Sequence, residues 1–265
     1  MRILVGFDGS EGARDAAELA DVLRELLAFE VLVVAVGDDG DAGPDFSPAR
    51  AALGGGDVET LTVAGGSPAR VLPELATERG AGLIVVGSPH RGALGRALLG
   101  SVATSLLNGS PVPVAVAPRG YRGVPHPRPR TIAVAYDGGE EAKQALAYAS
   151  TLAGAAGATV RVLSVLAPPA GMPGVGGYAP PSGSDVERLV DEALAALGPG
   201  VEKEGRALAG PPVPTLAEAC EDGVDLLVAG SRGHGQLGRV LVGSVATGLI
   251  GRAPCPVLVV PRGEG

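Results

Sequence analysis

The chain has 265 residues, room for one large domain or two ordinary ones with workable cores. It is 46% apolar and 19% charged with no Trp, so Val, Leu, Ile and Ala must build the core; its 43 Gly and 23 Pro follow no triplet period, which excludes a collagen-like chain and points to glycine-rich loops and small-residue helix packing. A net charge of −8 excludes a general nucleic-acid binder, which needs clustered Lys and Arg, and no apolar run approaches the roughly 20 residues that span a bilayer.

In chain order, MRILVGF opens on an apolar strand, 2–7, with no basic region and long apolar stretch before it, so no signal peptide is expected and the location reads as cytoplasmic. Residues 11–28 carry apolar side chains at helical spacing with charges between them. Strands follow at 31–36, more weakly at 57–63, then at 82–87 and 112–117, with helices at 67–79 and 97–108. Residues 120–130, GYRGVPHPRPR, hold three prolines and read as a short stiff linker. Beyond it, strands are expected near 131–136, 158–165, 201–207, 224–230 and 255–260, with helices at 139–155 and 244–251. Strands alternating with helices imply crossover units, hence a mostly parallel sheet covered on both faces.

The chain repeats itself. Residues 87–120 align without a gap to 230–263, and 20 of the 34 pairs are identical. ILVGFDG at 3–9 matches IAVAYDG at 132–138. The offset grows from 129 to 143, so the second copy holds 14 extra residues, which fit 166–183, a stretch rich in Gly and Pro that reads as a loop. This gives domains at 1–119 and 131–265, each with five parallel strands flanked by helices, joined by the linker.

Open parallel sheets bind ligands at the carboxyl ends of their strands, where the strand order reverses. Two features fall at such ends in each copy: an acid after the first strand, Asp8 or Asp137, and a glycine-rich loop after the fourth. In the second copy that loop is GSRGHGQLGRVLVGS, Gly230 to Ser244. No P-loop string G-x-x-x-x-G-K-[ST] occurs. A G-x-G-x-x-G string runs from Gly233 to Gly238, but it follows the fourth strand of its copy and lacks the ribose-binding acid about twenty residues on, so it is set aside. The remaining pattern is G-x2-G-x9-G-S: Gly230, Gly233, Gly243, Ser244.

That pattern, with the acid after strand one and PCPVLVVP as the last strand, resembles the nucleotide-binding signature of universal stress proteins, and the resemblance covers nearly the whole chain twice. It implies two tandem Rossmann-like domains of the adenine nucleotide alpha hydrolase-like type. It also implies ATP, with Mg²⁺ left open, as the ligand. Asp137 and Val165 would hold the adenosine end; Gly230, Gly233, Gly243, Ser244 and the adjoining Val245 would serve the phosphates. Arg232 and Arg239 would add positive charge. The chemistry suits this role: glycine lets amides approach an oxyanion, successive amides form a nest, and the amino end of helix 244–251 favours an anion. The other reading of the loop is a tight strand–helix turn, and of Asp137 a helix N-cap.

The first copy departs from the signature. It keeps Gly87, Gly100 and Ser101, with Asp8 and Val36 as the matching adenosine-side residues, but His90 replaces the second glycine and Pro89 precedes it. Either the first copy is a scaffold, or His90 and Arg91 make a modified site by side chain. Catalytic signals are sparse: three histidines, no metal spacing and no G-x-S-x-G nucleophile in a plausible order. Three functions stay open: a nucleotide-binding stress or signalling module, a slow ATPase or adenylate-handling enzyme, and an interaction module without nucleotide. Cys220 and Cys255 are too few for a disulfide framework and read as reduced structural thiols, with a redox pair as the alternative. The last strands, 112–118 and 255–261, would be apolar edges if unpaired, so they are expected to pair with each other within one chain; a homodimer is a further possibility.

Overall fold

A computed structural model describes residues 1–38, 43–55, 58–88, 100–121, 128–167, 182–231 and 243–261. The first half runs β1 (Arg2–Gly6), α1 (Glu11–Leu27), β2 (Glu30–Gly37), α2 (Ser47–Ala52), β3 (Glu59–Ala64), α3 (Pro68–Glu78), β4 (Ala81–Gly87), α4 (Ser101–Gly109) and β5 (Val114–Ala117). The second repeats the order as β6 (Thr131–Ala135), α5 (Glu140–Ala156), β7 (Thr159–Leu166), α6 (Gly183–Ala196), β8 (Lys203–Ala209), α7 (Pro212–Cys220), β9 (Leu226–Gly230), α8 (Ser244–Ile250) and β10 (Val257–Val260). The expected linker ends at β6, and its residues 122–127 lie outside the described residues.

All ten strands form one sheet in the order β3-β2-β1-β4-β5-β10-β9-β6-β7-β8. Within each half the neighbours are parallel. At the centre, β10 runs antiparallel to β5, with Val257 opposite Val116 and Val259 opposite Val114. Both strands are fully buried, as a strand paired on two sides and covered on two faces must be. The outer strands β3 and β8 instead hold only half-buried and exposed positions and carry Glu59, Lys203, Glu204 and Arg206, charges that discourage pairing with another chain.

Period-two alternation splits the core into two layers. Ile3 and Val5 of β1 belong to the layer that holds α1, α2, α5 and α6, while Leu4 belongs to the layer that holds α3, α4, α7 and α8. Each layer crosses the seam, and α1 touches α5 over it. Helix α1 buries Ala13, Ala16, Ala17, Leu19, Ala20 and Leu23, a stripe at helical spacing. Ser10 starts it by accepting the Ala13 N–H at 3.2 Å, and Ala28, at φ 53°, ends it.

The extra residues of the second half are not all loop. The connection from β7 to α6 spans 16 residues against 9 from β2 to α2, and α6 has 14 residues where α2 has 6. Residues 168–181 of the expected loop lie outside the described residues, but Gly183–Ala196 is helix. Its apolar residues Val186, Val190 and Ala193 recur at i, i+4 and i+7 on one buried face, and Ser182 and Asp185 close a reciprocal capping box.

Candidate functional site

Strand β6 lies between β7 and β9, with Ala135 opposite both Leu163 and Ala229. Carried on by two residues, this register sets Asp137 level with Val165 and Ser231. The Tyr136 N–H donates to the Leu163 carbonyl at 2.9 Å and holds the strand in line up to the acid. The chain leaves β6 through α5 on one face and β9 through α8 on the other, so a crevice opens between them, the place where open α/β sheets take ligands. The first half has the same frame: Val5 pairs with Val33 and Val85, which sets Asp8 level with Val36 and Ser88.

Both acids are exposed, and both first brace the backbone. Asp137 Oδ1 accepts the Gly139 N–H at 3.0 Å and Asp8 Oδ1 accepts the Ser10 N–H at 2.9 Å. These are Asx turns around Gly138 and Gly9, whose φ values of 81° and 78° suit glycine. Asp137 is therefore not the N-cap of α5; Gly139 is, and no side chain caps it. Glu140 and Glu141 occupy the first turn of α5, which makes that amino end a poor place for an anion. Lys143 bridges to Glu140 at 2.6 Å, and this partner raises its pKa. Tyr136, buried beside the acid, has its phenol pushed up, first by burial.

Gly87 and Gly230 are needed where the helix meets the sheet. A Cβ on Gly87 would lie 2.0 Å from the Gly12 carbonyl oxygen, and one on Gly230 would lie 2.7 Å from the Glu141 Cβ. The first glycine of the signature thus seats the first turn of α1 or α5 against the strand end, whatever else it does.

The two ends of the second-half loop are fastened together. Ser231 donates its N–H to the Val260 carbonyl at 2.8 Å and accepts the Gly243 N–H on its own carbonyl, also at 2.8 Å. The Gly243 amide is therefore spent within the protein. Ser244, exposed, and Val245, half-buried, begin α8, whose amino end no side chain caps and whose first turn holds no acid. Among the described residues, no equivalent bond joins Gly100 to Ser88, although Ser88 donates to Ala117 at 2.9 Å as Ser231 does to Val260. Gly100 precedes α4 and Ser101 opens it, again without a side-chain cap. Val36 and Val165 are half-buried at their strand ends. Arg232, Gly233 and Arg239, with Pro89, His90 and Arg91 of the first half, lie outside the described residues. The strand ends thus set Asp137, Val165 and Gly230 at one crevice, with Gly243 and Ser244 tied there through Ser231, and set Asp8, Val36 and Gly87 at the other, while Gly100 and Ser101 stand at the start of α4. Sequence reasoning missed Ser231, whose only signal was the Gly-Ser pair shared by both copies after the fourth strand.

The profile of the universal stress protein family matches residues 47–118 and 129–261. The chain belongs to the universal stress protein family. A universal stress protein of Thermus aquaticus is 34% identical over 135 residues, covering 49% of this chain and 98% of that protein. One from Mycolicibacterium smegmatis is 32% identical over 200 residues, 74% of this chain and 67% of that protein. A universal stress protein from Archaeoglobus fulgidus, solved by crystallography, shares the fold of the whole chain, with a TM-score of 0.73 over 99% of this chain and 98% of its own at 21% identity. The family match takes in the second half from before β6 but the first half only from α2 onward, so Asp8 falls outside it and Asp137 inside.

Among the described residues no group of three or more His, Cys, Asp or Glu side chains could hold a metal, and no helix is long and apolar enough to cross a membrane.

Proposed function

We propose that the chain is an ATP-binding stress-response module that takes its nucleotide in the second half. The fastened loop carries this reading: the Ser231–Gly243 bond holds the start of α8 at the end of β9, next to the end of β6 where Asp137 stands, with Val165 on β7 one strand further on. Membership of the universal stress protein family supports it. The Asp137 carboxylate suits ribose hydroxyls, and the apolar end of β7 at Val165 suits an adenine face. The Ser244 and Val245 amides and the Ser244 hydroxyl suit phosphate oxygens. Arg232 and Gly233 complete the set by sequence. Mg²⁺ would be carried largely by the phosphates themselves, since such ions keep most of their water and few protein ligands. The first half serves as scaffold, and its pairing through β5 and β10 gives one chain the arrangement of a dimer. The domain limits follow as 1–119 and 131–265.

Nucleotide-binding calorimetry on the full chain, with and without Mg²⁺, tests this. We expect one ATP per chain, an affinity loss of about tenfold or more for Asp137→Ala, and little change for Asp8→Ala, because an unmatched ribose hydroxyl costs about 1–3 kcal/mol. Purified chain that neither retains nor takes up an adenine nucleotide would remove the proposal. Release of phosphate from bound ATP would add hydrolysis to it.

A further inference from the structure

A pocket of about 230 Å³ opens at the seam, and both halves line it. The first half gives Leu19, Val22 and Leu23, one face of α1 at i, i+3 and i+4, together with Tyr121 beyond β5. The second gives Asp225 and Leu226, where β9 starts, and Pro256 just ahead of β10. The pocket therefore lies at the amino ends of β9 and β10. Asp137 follows the carboxyl end of β6, which runs parallel to β9, so the nucleotide crevice is at the other end of these strands.

The walls are stiff and largely apolar. Proline brings no N–H, and the carbonyl oxygens of two lining prolines are engaged: Pro118 accepts the Tyr121 N–H at 3.3 Å and Pro256 the Leu227 N–H at 2.9 Å. A wall fixed in advance costs little to order around a ligand. Asp225 is the anchored polar group. Its N–H donates to the Thr131 carbonyl at 2.9 Å, and its Oδ2 accepts the N–H groups of Arg130 and Thr131 at 2.8 and 2.9 Å. Both of these carboxylate bonds use one oxygen, which leaves Oδ1 to accept from a donor.

The repeat supplies a comparison. Its offsets carry Leu19 onto Tyr148 and Asp225 onto Gly82, and α1 and α5 are each 17 residues long. Tyr148 is half-buried, and its hydroxyl, shut off from water, has no hydrogen-bond partner. An unpaired buried hydroxyl is a cost, so the ring is what suits that place. Over Gly82 there is no carboxylate; Met1 and Phe29 come to 2.9 Å from where a Cβ would stand. At the matched place the protein thus supplies a phenol ring of its own, whereas Leu19 stands in that position beside open space.

We propose that the seam pocket binds a small neutral phenol between α1 and the amino ends of β9 and β10. A cavity of about 150 Å³ lined by apolar side chains takes one benzene, so about 230 Å³ holds one substituted ring and not two. The ring packs on Leu19, Leu23 and Leu226, and its hydroxyl donates to Asp225. An anionic ligand is disfavoured, since the negative charges of Asp225 and Glu18 are close by: after burial, they raise the pKa of the Tyr121 phenol and keep it protonated. Arg119, which also lines the pocket, is exposed at its rim.

The test titrates phenol into the full chain and follows methyl and amide NMR signals. Saturable shifts should appear at Leu19, Leu23, Leu226 and the Asp225 amide, and not at Gly139 beside Asp137. Leu19→Tyr places the counterpart's ring in the pocket and should weaken phenol about tenfold or more. Val22→Phe, at a half-buried position where a larger side chain leaves the core undisturbed, should do the same. Toluene, equal in size but without a donor, should bind several-fold more weakly than phenol. Asp225→Asn, which keeps one oxygen for Arg130 and Thr131, should remove that preference. Shifts that rise without saturating, or phenol bound equally well by both filled variants, would overturn the proposal. Toluene held as tightly as phenol would overturn the part given to Asp225.

Discussion

Laid over each other, the two halves agree in strand order, in the seating of α1 and α5, and in the level of Asp8 and Asp137. They differ in how the chain next to the crevice is held. The first half caps its helix with Ser10 and brings Gly12 backbone to backbone against Gly87. The second leaves α5 without a side-chain cap and sets Glu141 against Gly230, but it fastens its loop ends through Ser231 and Gly243. One half invests in close helix–sheet packing and the other in the geometry of the loop. A duplicated fold can thus keep its frame in both copies while, among the described residues, only one fastens its loop ends by a backbone hydrogen bond.

The comparison depends on a shared centre, and the largest effect should come from breaking it. Val257→Pro removes a donor from a strand paired on both sides and should cost at least about 3 kcal/mol in urea unfolding. Val114→Pro should match it, since Val114 faces Val259 across the seam. Unaltered midpoints for both would mean that the halves do not depend on each other.

Next in size is the helix–strand contact. Gly87→Ala drives a Cβ to 2.0 Å from a backbone oxygen, whereas Gly230→Ala meets Glu141 atoms at 2.7 to 2.9 Å. Losses of about 3 and about 1–2 kcal/mol are expected, in that order. The reverse order, measured by the same denaturation, would show that α5 yields less than α1.

The smallest effect concerns α6, the long helix of one half only. The Ser182 N–H, and then its hydroxyl, hold the Asp185 carboxyl below its ordinary 3.8. A folded pKa below the unfolded one gives stability that is complete above the unfolded value and is lost as pH falls through the folded value. Ser182→Ala removes only the hydroxyl, so NMR titration should find the Asp185 pKa moved part of the way back up. A value that stays put would assign the whole effect to the backbone N–H.

Much of this was legible in the residues. Runs such as ILVGF and LIVVG gave buried strands because parallel strands are apolar on both faces, and the repeat gave the second half its frame. Helix α6 was missed because the Gly- and Pro-rich stretch before it coloured the reading of Ser182 onward, although its capping box and apolar spacing were present. The role of Gly87 and Gly230 was only half legible. Spacing shows a glycine in a signature, but only the approach of Gly12 or Glu141 shows what the missing side chain avoids. Nor does spacing reveal that the Gly243 amide is already engaged, since that depends on how the chain returns to Ser231.

Because β5 and β10 run in opposite directions, the two crevices open toward opposite poles of the sheet. With strands about 4.8 Å apart, four strand spacings put them about 19 Å from each other across the sheet as well. One small molecule cannot bridge them, and a partner docked at one pole has no view of the other. Among the described residues, it is the buried side chains on both faces of the seam that would carry news of an occupied pole to its twin.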